Sequence, residues 1–152
     1  MAYGVMFNVE KDYPTSSKKF KDLLKAINVD EYVWKIDESD FYNCADLQNI
    51  LEKKQIIQGK NIMKELDCDV MMIWIALEGY KNETDIEELD SSFQKYLESE
   101  CDVVVFVVDT YQFVVYTKNA EILKNAVEFA KANNTGRIEI IEEDHADWYF
   151  GV

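Results

Sequence analysis

The sequence predicts an α+β domain, a mixed β-sheet with amphipathic helices packed on it, and three observations carry that reading. Two apolar runs, residues 70–77 and 103–108, have the length and the β-branched content of strands buried on both faces. The stretches around Phe20 and Ala126 instead repeat apolar residues at helical spacing. With one Pro and five Gly in 152 residues, no linker divides the chain, so residues 1–152 read as a single domain. A chain of that length buries roughly 68–70% of the surface its unfolded form exposes and needs no disulfide or metal to hold a core.

Taken in order, residues 2–9 read as a first strand. Pro14 and the capping candidates Thr15, Ser16 and Ser17 open a helix, with Phe20, Leu23, Leu24 and Ile27 at i, i+3, i+4 and i+7. Its other face carries Lys18, Lys19, Lys21 and Lys25 and reads as solvated. Residues 31–36 alternate as a half-buried strand, with Tyr32, Trp34 and Ile36 on one side and Val33 and Lys35 on the other. Residues 37–40 read as an acidic turn. The 44–66 stretch reads as a helix, a break or short strand at Ile56 and Ile57, then a second helix burying Ile62, Met63 and Leu66.

The run DVMMIWIAL, residues 69–77, is a central strand. Thr84 and Glu87 have capping-box spacing, which predicts a helix carrying Ile86, Leu89, Phe93, Tyr96 and Leu97 inward. Asp85, Glu87 and Glu88 would then favourably oppose its dipole. A hairpin follows at about 103–117, and a helix over 120–133 buries Ile122, Leu123, Ala126, Val127 and Ala130. Ile138 and Ile140 alternate in another strand, and DWYFGV is a candidate for the last.

Charge is the strongest compositional signal. The 16 basic and 30 acidic residues leave −14, unevenly placed: 10 against 13 up to Ala76, net −3, but 6 against 17 from Leu77 onward, net −11. Phosphate backbones and anionic membranes are bound through cationic contacts, so neither nucleic acid nor a membrane surface is an expected partner. A basic protein is. The longest apolar run has eight residues, far short of the roughly 20 of a spanning helix, and the N-terminal stretch lacks the pattern of a secretory leader. Three cysteines, Cys44, Cys68 and Cys101, without C-x-x-C spacing suit reduced thiols in a cytoplasmic protein.

Two places could hold chemistry. Asp109 ends an apolar strand, where phosphate-handling enzymes keep a metal-binding carboxylate. Tyr111 stands where a second aspartate would be needed, and no phosphate-binding glycine loop accompanies it. The preferred reading is the first position of a type I turn joining the two hairpin strands. The other place is EEDHADWYF, residues 142–150, with the only histidine. Here Glu142, Glu143, Asp144, His145, Asp147, Trp148 and Tyr149 combine acidic charge with rigid aromatic area and read as a partner surface. One histidine does not make a multi-histidine zinc site, and no cofactor is expected.

Binding without chemistry is therefore favoured: an acidic module, of inhibitor or immunity type, that docks a basic partner. The alternative is a small-molecule or divalent-metal-dependent enzyme using carboxylates near His145 and Asp109. The stretches GVMFNVEK, LLKAINVDEYVWKI, IIQGKNIMKEL and DTYQFVVYTKNAEIL together resemble a small uncharacterised family from low-GC Gram-positive bacteria, a domain of unknown function of about this length. The resemblance implies a bacterial, cytoplasmic α+β domain and brings no activity or site residues with it.

Overall fold

Alternation of inward and outward side chains, set by the two-residue period of extended backbone, decides where each strand can lie. The computed structural model describes residues 2–46, 48–49, 51, 55–90 and 92–142. Its seven strands are β1 (Ala2–Asn8), β2 (Val33–Asn43), β3 (Ile56–Gln58), β4 (Val70–Tyr80), β5 (Cys101–Val108), β6 (Gln112–Thr117) and β7 (Ile138–Glu142). They form one sheet in the order β3-β2-β4-β5-β6-β1-β7. The α+β class and the hairpin, β5–β6, stand as expected. The sheet is not mixed, because every described pairing is antiparallel. Strands β4, β5 and β6 follow one another as neighbours, which needs no parallel crossover.

One face is covered by α1 (Tyr13–Ala26), α2 (Gly59–Glu65) and α4 (Ala120–Asn133). Phe20, Leu23 and Leu24 of α1 and Ile122, Ala126 and Ala130 of α4 are buried there with Val5, Phe7, Val103, Val105, Val107, Phe113 and Val115 of the strands. Phe7, Phe20, Phe113 and Phe129 meet edge to face, with ring centroids 5.6–5.9 Å apart. The cap of α1 is Asp12, three residues ahead of the first of the expected hydroxyls: its carboxylate accepts from the Thr15 N–H, which holds it below the usual carboxylate range. Trp34 lies in this layer too, its indole N–H donating to Val29 O at 3.0 Å. Its ring rests on Gly79, where a Cβ would sit 3.0 Å from the ring and 2.7 Å from Val103. At the start of α2 a Cβ on Gly59 would meet Val29 O at 1.8 Å, so backbone touches backbone there.

The opposite face is covered by the link between β4 and β5, which includes α3 (Phe93–Glu98). Leu89, Phe93 and Tyr96 bury against Met6, Ala76, Val104, Phe106, Val114 and Tyr116. These are residues the helical stripe had marked as inward, but the helix does not begin at Thr84. Glu83–Asp85 makes a short 3-10 turn, residues 86–89 run on without helix, Asp90 takes a left-handed φ of 52°, and Ser92 caps α3. Glu87 and Glu88 thus lie outside any helix, and Asp85 ends the 3-10 turn rather than opening an α-helix.

Two further expectations change, while the strand expected around Ile138 and Ile140 is β7. The acidic residues 37–40 lie within β2, which continues past them with register shifts at Ile36/Glu38 and Ser39/Phe41; the bulges accommodate the polar run. The described residues after Cys44 form a turn and an isolated bridge, Tyr42 with Asn49, in place of a helix. In β7, Ile138 and Ile140 are 37% and 40% exposed while Ile141 is buried, because an edge strand reaches beyond the helices. No helix among the described residues is long and apolar enough to cross a membrane.

The hairpin tip is not a type I turn. Asp109 and Thr110 both have positive φ, 51° and 74°, and the Tyr111 N–H donates to Asp109 O at 2.9 Å. An i to i+2 bond around a residue with φ near +75° is a γ-turn of the strained kind. Left-handed tip residues suit the twist of a hairpin, and Asp tolerates them far better than Thr. Thr110 is held there by its own N–H, which donates to Ile73 O at 3.0 Å in β4, while Tyr111 O accepts from Val9 at 2.9 Å. Thr110→Gly should relieve the strain and raise stability by about 1 kcal/mol. Urea denaturation reads this directly, and a lowered midpoint would show that Thr110 is not strained.

Candidate functional site

Antiparallel register brings one end of every long strand to the same side of the molecule. Val33 pairs with Tyr80, Tyr80 with Cys101, Val103 with Thr117, Gly4 with Tyr116 and Ala2 with Glu142. That end also carries the 3-10 turn Val29–Glu31, the β4–β5 link and the start of α4. Its surface is acidic. Along the link, Glu83, Glu87, Glu88, Asp90, Glu98 and Glu100 are exposed, and Asp85 and Asp102 half-buried, with Lys95 the only cation between Asn82 and Asp102. Asp30, Glu31, Glu121 and Glu142 extend the patch from the neighbouring elements.

The lysines here are engaged within the fold. Lys95 bonds the Asp90 carboxylate, and Lys81 lies 3.8 Å from Glu31 and 4.6 Å from the centre of the Tyr32 ring. The Tyr32 hydroxyl donates to Asp102 Oδ2 at 2.7 Å, and burial first, then that bond, holds the phenol above its ordinary range.

Beneath the link lies a polar group of a different kind. Lys35 and Glu78 are register partners on β2 and β4, each only 5% exposed. Lys35 Nζ reaches Glu88 Oε1 at 3.0 Å and Glu87 O at 3.5 Å, fastening the link to the sheet. The Tyr80 hydroxyl lies 3.3 Å from Glu87 O and 3.4 Å from Glu78 Oε1. With one proton, it donates to one of them at a time. Burial pushes the Glu78 carboxyl up to about 7, assisted by Asp37 and Glu88 and opposed by Lys35. When Glu78 is protonated its own O–H can donate to Tyr80, leaving the phenol proton for Glu87 O.

The residues singled out by sequence are separated by this geometry. Asp109 sits on the exposed hairpin tip, beside Gln112 and the Asn8 end of β1, at the far end of the sheet from Glu142 and Ala2. Glu142 closes β7 at the acidic end and is exposed. Glu143, Asp144, His145, Asp147, Trp148 and Tyr149 lie outside the described residues. Among the described residues no three His, Cys, Asp or Glu side chains come together to hold a metal ion. Cys101 is buried, with burial holding its thiol well above the usual range, and Cys44 and Cys68 are half-buried; all three are free thiols. Lys35 and Glu78 escaped notice because period-two alternation assigns Lys35 to solvent. The available signal was Glu78 itself, a carboxylate directly after eight apolar residues of a strand buried on both faces.

The fold and this end together define an α+β domain built on a single antiparallel sheet, with an acidic link covering one face. Residues 2–149 match the family described as protein of unknown function DUF2691, and the chain belongs to that family. No curated protein and no solved structure shows significant similarity to it.

A glutamate whose folded pKa lies above its unfolded value favours the folded state in acid, and that contribution fades as pH rises through about 7. The window runs from about 4.5 to about 7, and its full span is on the order of 3 kcal/mol. Glu78→Gln should flatten the pH dependence of stability across that window and leave the variant more stable than the parent above pH 7. Urea denaturation at a series of pH values checks it; an unchanged slope would show that Glu78 titrates normally.

Proposed function

We propose that this protein is a binding module without chemistry of its own, which docks a basic partner protein through its acidic end. The mode is that of an inhibitor or immunity protein covering a cationic surface, and the setting is the bacterial cytoplasm. One observation carries the reading: the β4–β5 link, residues 81–100, sets seven acids against two lysines, a net of −5 on one connected segment of the −11 that follows Leu77. Carboxylates clustered on one segment build a field that steers a cationic partner into a defined orientation. Solubility alone would be served as well by scattered charge. Three lysines at this end, Lys81, Lys95 and Lys118, are already bonded to carboxylates or carbonyls.

Position-matched charge reversal tests the reading. Immobilised protein should retain basic proteins from a bacterial extract and release them as salt is raised. Glu98→Lys with Glu100→Lys, at the acidic end, should weaken retention roughly tenfold, equivalent to about 1.4 kcal/mol. Asp67→Lys with Asp69→Lys makes the same change in net charge beside Val70, at the other end of β4, and should leave retention largely intact. Equal losses in the two variants, or no salt-sensitive retention by the parent, would remove the proposal.

A further inference from the structure

A groove opens at the acidic end between the last turn of α3, the first turn of α4 and the beginning of β1. Its volume is about 360 Å³, and Ala2, Tyr3, Leu97, Ala120 and Leu123 give it an apolar lining. That is the low end of the roughly 300–1,000 Å³ usual for sites that enclose a small ligand, and it has room for one or two side chains. The polar groups at its edge are spent. Lys118 directs its ammonium to Tyr96 O at 2.9 Å and Ser99 O at 2.6 Å, over the Tyr96 ring. The first free N–H groups of α4, those of Glu121 and Ile122, both donate to Asn119 Oδ1. The groove therefore offers an anionic head group neither a cation nor an open helix end.

Three carboxylates adjoin it, against the exposed Lys124 after Leu123 and the bonded Lys118. Glu98 follows Leu97, Glu121 follows Ala120, and Glu142 is the register partner of Ala2, all three being exposed. Resting on the basic-partner reading above, we propose that the groove receives an apolar anchor residue of that partner, flanked by lysine or arginine side chains that meet the rim carboxylates. Association by charge alone would be fast but poorly discriminating; an anchor in a dry groove adds lifetime and register. The two parts divide the work: carboxylates select the sign of the partner, and the groove selects a position on it.

The probes are a fluorescein-labelled oligolysine peptide with one central phenylalanine and the same peptide with serine there, titrated by fluorescence anisotropy against the full-length protein. The phenylalanine peptide should bind roughly tenfold more tightly, the effect of burying most of one aromatic side chain. Ala120→Trp, which fills the groove from an exposed position, should abolish the difference while leaving the serine peptide unaffected. Leu123→Gln should reduce it, and an unchanged thermal midpoint for either variant confirms that the fold is intact. Equal binding of both peptides by the parent overturns the groove while leaving the acidic-end reading in place. Absence of binding by either peptide at low salt removes both. If the phenylalanine advantage emerges only after Trp148→Ser and Phe150→Ser, the groove belongs to the chain's own C-terminal segment and the proposal falls.

Discussion

Strand β5 buries Val103, Val105 and Val107 in one apolar layer and Val104 and Phe106 in another, so water must be kept from both faces of the sheet around it. At about 25 cal/mol per Å² of apolar surface, leaving either face bare would cost several residues' worth of burial, which a marginally stable domain cannot lose. Helices α1, α2 and α4 protect the first face. The second is left to the connection from β4 to β5, which has only the six-residue α3 to contribute. It covers the sheet instead by planting Leu89, Phe93 and Tyr96 among Phe106, Val114 and Tyr116. The exposed carboxylates gather on either side of those anchors, Glu83, Glu87 and Glu88 before them and Glu98 and Glu100 after. The acidic surface is thus the solvent side of the segment that completes the core.

The same arrangement explains why two charged groups lie under that segment. A carbonyl-rich stretch without helix needs donors beneath it, and Lys35 and Tyr80 both approach Glu87 O. Burying Lys35 in turn requires negative charge near it, supplied by Glu88 at 3.0 Å, with Glu78 opposite it on β4 adding charge once it loses its proton. Removing one member would strand the others, whereas changing the proton on Glu78 only redirects hydrogen bonds. Attachment of the link is therefore coupled to the protonation state of a single glutamate.

How much of this was legible in the sequence depended on the range of the interactions. Apolar periodicity located β1, β4, the hairpin, α1 and α4, because each is decided by its own residues facing one core. It also marked Leu89, Phe93 and Tyr96 as inward, yet misjudged their backbone: a capping box at Thr84 competes with Lys35 and Tyr80, which are distant in sequence and hold residue 87 to the sheet. Residues 37–40 looked like a turn because polar residues in β2 are tolerated only where bulges absorb them beside β4. The type of the hairpin turn depended on Ile73 and Val9, both on other strands. Concentration of the acids at one end required the strand order, which composition does not encode.

That strand order has a consequence for how the chain is completed. Strands β4, β5 and β6 can pair one after another as they are made, each with the strand just before it. The first strand synthesised cannot join them in turn, since β1 is seated between β6 and β7 and Gly4 must wait for Tyr116. Until then its apolar side chains, Val5 and Phe7 among them, have no sheet to enter. Such late, distant closure is slow and leaves hydrophobic edges exposed. Pairing of β1 with β6 therefore closes the sheet across a far longer separation in the chain than the pairings of β4, β5 and β6 among themselves, and the edges it covers are the ones most open to aggregation before β6 is in place.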